Sequence, residues 1–161
     1  MKKNKVLITG CAGFIGGHAL DSFLNNGCEV IGVDKMTYAA NPSTVEPREG
    51  FTFYKEDVCD TEAMKNIAEK HNVDYIIHFA AESHVDNSIK GDNCFIDSNI
   101  TGTKSLMEVC KSLSIPICHI STDEVYGSLS ETDEPFTEDT PYDPRSPYSA
   151  SKAASDHLVK S

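Results

Sequence analysis

Positive charge is scarce in this sequence. Fourteen lysines and arginines stand against 25 aspartates and glutamates, a formal net charge of −11. With no basic stripe to meet phosphates, nucleic acid and anionic membrane surfaces are excluded as partners. Long apolar runs are missing too. No stretch is long enough to span a bilayer. The apolar run that follows Met1-Lys2-Lys3 ends at Thr9-Gly10, too soon for a signal peptide. The six cysteines, at 11, 28, 59, 94, 110 and 118, form no close pair. We therefore expect reduced thiols and a cytoplasmic protein, not a disulfide framework. No internal repeat is visible. At 161 residues the chain is one ordinary domain, long enough for a real core.

What is present is a regular alternation of strand-like and helix-like segments. Residues 5–9 read as a buried strand. Gly10-Cys11-Ala12-Gly13-Phe14-Ile15-Gly16 follows at once, and a helical period then runs to Asn25-Asn26-Gly27. Strand, glycine turn and helix are the context a dinucleotide fingerprint requires, here spaced G-x-x-G-x-x-G. Gly10 would allow the tight turn, Gly13 the approach of a pyrophosphate, and Gly16 close packing of helix on strand. A second strand, 29–33, ends in Asp34, at about the spacing expected for an acid on the adenosine ribose. An acid there repels a 2′-phosphate, which favours NAD over NADP; the adjacent Lys35 softens that discrimination.

The spacing predicts a loop with room for a short helix over 38–50, a third strand over 51–55, and a helix capped by Asp60 with Ala63, Ile67 and Ala68 facing in. A fourth strand over 73–79 leads into Ala80-Ala81-Glu82-Ser83-His84, small residues where a backbone passes close to a ligand. A metal on His78, Glu82 and His84 is not expected, because strand alternation separates them and a fourth ligand is missing. A long helix spans 92–113. Asn99 and Gly102 are odd inside it, and Gly102 suggests close packing. A fifth strand covers 115–120, an acidic proline-rich loop 127–146, and a last helix 147–161. The order predicts an α/β, doubly wound parallel sheet, a Rossmann fold with strand order 3-2-1-4-5.

Two stretches carry chemistry. Ser121-Thr122-Asp123-Glu124 sets a hydroxyl and two adjacent carboxylates at the end of strand five. Tyr148 and Lys152 lie four residues apart, on one face of a helix. An ammonium beside a phenol favours the phenolate, which makes Tyr148 a candidate base. Together these groups suggest redox chemistry at a carbinol coupled to proton transfer.

The glycine turn, Tyr148-x-x-x-Lys152, Asp34-Lys35-Met36-Thr37-Tyr38-Ala39, residues 80–89 and residues 120–127 resemble the extended short-chain dehydrogenase/reductase superfamily. Within its NAD-dependent epimerase/dehydratase family they are most similar to the nucleoside-diphosphate-glucose 4,6-dehydratases that act on dTDP-glucose. The Thr122-Asp123-Glu124 triplet is the specific feature, since related epimerases usually lack the acidic pair. The resemblance implies a hydro-lyase, an NAD cofactor, a sugar-nucleotide substrate and a homodimer packed through 93–113 and 148–161. It implies that Tyr148, assisted by Lys152, takes the 4-hydroxyl proton, Glu124 removes the C5 proton and Asp123 protonates the departing C6 hydroxyl. Thr122 and Ser83 would hold the sugar. Phe14, Ile15, Asp34, Lys35, Met36, Thr37, Asp57, Val58, Phe79, Ala80, Ala81 and Ser98 would surround NAD, with Asp57 reaching the adenine amine. Asn87 departs from the family, which often has arginine there. Family members also continue well past 161. The expectation is therefore a truncated Rossmann domain over 1–161, its C-terminal substrate-binding domain absent and residues 115–120 left as an apolar sheet edge. A sugar-nucleotide epimerase and a catalytically inactive NAD-binding fragment are the alternative readings.

Overall fold

Lys5–Thr9 forms the central strand β1 because both of its faces are apolar: Val6, Leu7 and Ile8 are all fully buried. The computed structural model describes residues 3–84 and 94–161. Asn87, the second half of the 80–89 stretch and the first residues of the expected 92–113 helix lie outside the described residues. From β1 the chain runs through α1 (Phe14–Asn25), β2 (Glu29–Val33), β3 (Phe51–Tyr54), α2 (Thr61–His71) and β4 (Tyr75–His78). It continues through α3 (Gly102–Leu113), β5 (Ile117–His119) and α4 (Pro147–Lys160). The five strands pair in parallel in the order β3-β2-β1-β4-β5, the expected 3-2-1-4-5.

Strand alternation divides the core. Val6, Ile8, Val30 and Ile77 pack beneath Leu20 of α1. Leu7, Ile31, Val33 and Ile76 meet Met64 and Ile67 of α2 and Leu106 and Val109 of α3 on the other face. Fully burying one such aliphatic side chain contributes about 1.5–3 kcal/mol.

Several boundaries differ from expectation for visible reasons. Strand β4 starts at Tyr75, not 73, because the Val73 N–H closes α2 on the Ala68 carbonyl (3.1 Å). Ile115 likewise closes α3 on Cys110 (3.0 Å), so β5 is only three residues long. Pro116 has no N–H, and it joins the ladder through its carbonyl alone, accepting from the Ile76 N–H (3.0 Å). Asp60 does cap α2, its carboxylate accepting from the Ala63 N–H at 2.9 Å. Met64, not Ala63, takes the inward position beside Ile67 and Ala68. Residues 38–50 contain one short 3-10 turn, Pro42–Val45, capped by Asn41.

The helix ahead of α3 is not a plain α-helix: Ile96–Thr101 forms a π segment. Asn99 is buried there, and its side chain turns away to hold the backbone of Glu82. Thr103 Oγ1 donates to the Asn99 carbonyl (2.6 Å). Gly102 explains itself by packing, since a Cβ there would sit 2.7 Å from Val58 Cγ2. Residues 127–146 form no helix or strand. Ser146 and Ser149 then open α4 with a capping box and Pro147 in the first turn.

Candidate functional site

The C-terminal ends of β1, β2 and β4 open onto a cleft of about 520 Å³. Gly10 turns sharply at its floor, with φ +68° and its amide on the Val33 carbonyl (2.8 Å). A Cβ on Gly10 would meet the Ala80 amide at 2.7 Å, and one on Gly16 would lie 2.1 Å from the Gly10 carbonyl. Both positions therefore require glycine, one for conformation and contact, the other for contact alone. No side chain caps the N-terminus of α1 and no acid occupies its first turn. Its unpaired N–H groups lie beside Gly13, Phe14, Ile15 and Gly16 in the cleft wall.

At the far wall Asp34 is fixed by the backbone, with Oδ2 accepting from the Ala12 N–H (3.0 Å) and Oδ1 from the Met36 N–H (2.8 Å). Lys35 turns inward: its ammonium donates to Ser98 Oγ (2.9 Å) and lies 3.6 Å from Asp57. Burial raises the Asp57 carboxyl, but the Cys59 amide and Lys35 outweigh it and hold the group below its ordinary value. Thr37, Val58, Phe79, Ala80, Ala81, Ser83, Tyr148 and Lys152 also line the cleft. Met36 does not. It supplies a backbone N–H from a left-handed conformation, φ +60°.

Glu82 and His84, in the stretch expected to pass close to a ligand, do line the cleft, and the structure adds Ala40 and Glu56, which sequence reasoning did not assign to it. Tyr38 donates its hydroxyl to Glu82 across the cleft mouth and its ring lies 5.6 Å from that of His84. The only sequence signal for this was the aromatic inside a polar loop.

Beneath the floor runs a chain of buried hydrogen bonds. The Ala80 N–H donates to Thr9 Oγ1 (3.3 Å), which lies 2.7 Å from His78 Nδ1; His78 Nε2 lies 3.2 Å from Thr103 Oγ1. Because Thr103 donates onward to the Asn99 carbonyl, one direction satisfies every link: Thr9 donates to Nδ1, and the Nε2–H tautomer donates to Thr103. Burial, with His119 and Lys152 adding, holds the ring neutral. Asn99 donates both to the Glu82 carbonyl (3.0 Å) and to Ser151 Oγ on α4 (2.8 Å).

Thr122, Asp123 and Glu124 stand beside the cleft, not in its lining. Asp123–Tyr126 is a 3-10 turn that Thr122 caps, its hydroxyl accepting from the Glu124 N–H (3.3 Å). Both carboxylates are exposed. Their electrostatic effect reaches Tyr148, and here the structure corrects the sequence expectation. Burial holds the Tyr148 phenol above its ordinary value, Glu124 and Asp123 add to the rise, and only Thr122 opposes it. Lys152 is not what shifts it. Its ammonium donates to the Ile120 carbonyl (2.6 Å), and burial lowers it to about 8 against an opposing pull from Asp156. Spacing put Tyr148 and Lys152 on one face, but the carbonyl at the end of β5 claims the lysine.

Comparison with known proteins completes the description. Residues 7–161 match the family model described as GDP-mannose 4,6 dehydratase. A dTDP-glucose 4,6-dehydratase of Haemophilus influenzae is 47% identical over 169 aligned residues, covering 96% of this chain and 50% of that protein. A dTDP-glucose 4,6-dehydratase of Streptomyces venezuelae, crystallised with NAD bound, superposes with TM-score 0.88 at 41% identity, covering 96% of this chain and 50% of its own. A UDP-glucose 4-epimerase of Thermus thermophilus in complex with NAD superposes with TM-score 0.87 at 29% identity, over 97% of this chain and 50% of its own. The chain thus spans about half the length of the relatives it matches.

Proposed function

The chain belongs to the family described by the GDP-mannose 4,6 dehydratase model, and from that premise we propose that it is the cofactor-binding half of an NAD-dependent nucleoside-diphosphate-glucose 4,6-dehydratase, a lyase acting on dTDP-glucose. The product is the 4-keto-6-deoxy sugar nucleotide. One observation carries the choice of reaction: Thr122 and the two carboxylates, Asp123 and Glu124, stand on a turn beside the cleft that Tyr148 and Lys152 line. The fold alone does not choose, since dehydratase and epimerase superpose equally well.

The cleft fits NAD. The uncapped α1 N-terminus and the glycine floor suit a pyrophosphate, and Asp34 suits a ribose hydroxyl and repels a 2′-phosphate. Lys35 is tied to Ser98 and Asp57, which limits how far it softens that preference. NAD, when bound, supplies hydride acceptance at C4 and hydride return at C6. Tyr148 receives the 4-hydroxyl proton once its own phenol has ionised; among the groups of this chain that shift it, Thr122 alone favours that ionisation, against burial, Glu124 and Asp123. Lys152, at about 8, stays charged at neutral pH. Glu124 takes the C5 proton, acidified by the 4-keto group, and Asp123 gives a proton to the C6 hydroxyl as it leaves. Ser83 and Thr122 hold the sugar. A second domain supplies the nucleoside-diphosphate contacts, and the protein is a cytoplasmic homodimer through 93–113 and 148–161.

Incubation with dTDP-glucose, with product and bound NAD assayed on one sample, tests this. Glu124→Gln should stop exchange of the C5 proton with solvent and lower turnover about 10²- to 10⁴-fold, with bound NAD unchanged. Undiminished exchange sinks the dehydratase assignment.

A further inference from the structure

One buried charge is left over by this mechanism. Asp156 lies one turn beyond Lys152 on α4 and its carboxylate is almost fully enclosed (7% exposed). Oδ2 accepts from Ser121 Oγ (2.6 Å) and from the Tyr142 hydroxyl (3.0 Å). Oδ1 lies 3.4 Å from His119 Nε2, close but too poorly aligned for a hydrogen bond. A carboxylate is costly to bury unless its oxygens are satisfied, and here donors from two separate segments converge on it. Ser121 leaves β5 and is followed directly by Thr122, Asp123 and Glu124. Tyr142 comes from the far end of the acidic loop, and the next residue, Asp143, donates its N–H to the Val125 carbonyl (2.9 Å). The turn is therefore held from both ends by groups anchored on one side chain of α4.

We propose that Asp156 is a positioning residue that locks the turn bearing Thr122, Asp123 and Glu124 to the helix bearing Tyr148 and Lys152. It thereby sets the spacing between the acid–base carboxylates and the phenol. The inference rests on the dehydratase reading for its catalytic meaning and on hydrogen bonds alone for its mechanical one.

It has an electrostatic consequence that simple packing lacks. Asp156 opposes the burial that lowers Lys152. The other groups facing this cluster are His119 from β5, with His78 of β4 beside it (ring centroids 5.3 Å). Tyr142 from the loop is contacted by Lys160 Nζ (3.3 Å) and by the His157 ring (5.2 Å) of α4. Removing the Asp156 charge lowers Lys152 further, so its ammonium is lost at lower pH and the alkaline limb of activity moves down.

The test compares wild type, Asp156→Asn, Asp156→Ala and Ser121→Ala for dTDP-glucose turnover from neutral to alkaline pH. Amide exchange at Asp143 is followed in the same samples. Asp156→Ala should lose about 10- to 100-fold in kcat with KM little changed, the scale of a small misplacement, and the Asp143 amide should exchange faster. Asp156→Asn keeps the shape and should still shift the alkaline limb to lower pH. Wild-type kcat and pH profile in both Asp156 variants overturn the proposal. If Asp156→Ala does not fold, Asp156→Asn and Ser121→Ala decide by the same readouts. If wild type itself does not turn over dTDP-glucose, the site needs the second domain for activity, and faster or unchanged Asp143 exchange in the Asp156 variants supports or overturns the lock independently.

Discussion

The two halves of the site are held by different means. The cofactor half, from β1 through α1 to β2, is a backbone object: Gly10 and Gly16 take their places because no Cβ fits, and Val6, Leu7 and Ile8 anchor the strand beneath. The half bearing Thr122, Asp123, Glu124, Tyr148 and Lys152 is a side-chain object. It hangs on Asp156, Ser121, Tyr142 and the Lys152–Ile120 contact, across separations of up to 35 residues. Packing and backbone geometry tolerate almost no substitution. Polar clamps tolerate more in stability, but they transmit every change to the spacing of charges.

That contrast makes predictions of decreasing size. Gly16→Val should do the most damage. Its side chain starts 2.1 Å from the Gly10 carbonyl, and overpacking of this kind costs about 1–3 kcal/mol or more. Thermal unfolding and NADH-fluorescence titration should both show the loss, and a variant that binds NADH normally would contradict the packing account of the turn. Asn99→Ala strands the Glu82 N–H and carbonyl, while Ser151 Oγ keeps its bond to the Tyr148 carbonyl, a cost of about 1–3 kcal/mol. Urea unfolding should register it, and the Glu82 amide should exchange faster than amides of α1; uniform acceleration would mean that Asn99 supports the whole domain and not the junction. Lys35→Met removes a half-exposed tie to Asp57 and Ser98, worth at most about 1 kcal/mol. NAD affinity should change by less than about tenfold while NADP stays disfavoured; a swing to NADP would remove Asp34 as the discriminating group.

How much of this was legible in the sequence depends on the range of the interaction. The glycine turn, the Asp60 cap and the parallel strand order were readable because each follows from adjacent residues or from apolar periodicity. The π segment was not, since one extra residue in the turn scarcely alters an apolar pattern read over two or three turns. Asn99 and Gly102 were the visible oddities, and both proved to mark contacts, with Glu82 and Ser151 and with Val58. The expectation that Lys152 shifts the Tyr148 phenol was not met for the same kind of reason. Helical spacing says that two side chains share a face, but not that the lysine donates to the carbonyl of Ile120, just after β5.

By itself, then, the sequence determined the alternation of strand and helix, the sheet order and the glycine floor of the cofactor cleft, because backbone sterics and burial act locally and repeat along the chain. Only the tertiary structure decided which charges face one another. Asp156 meets Ser121, Tyr142 and His119, Lys35 meets Ser98, and Lys152 meets Ile120, since a buried charge is governed by whatever the fold brings within a few ångströms, irrespective of distance along the chain.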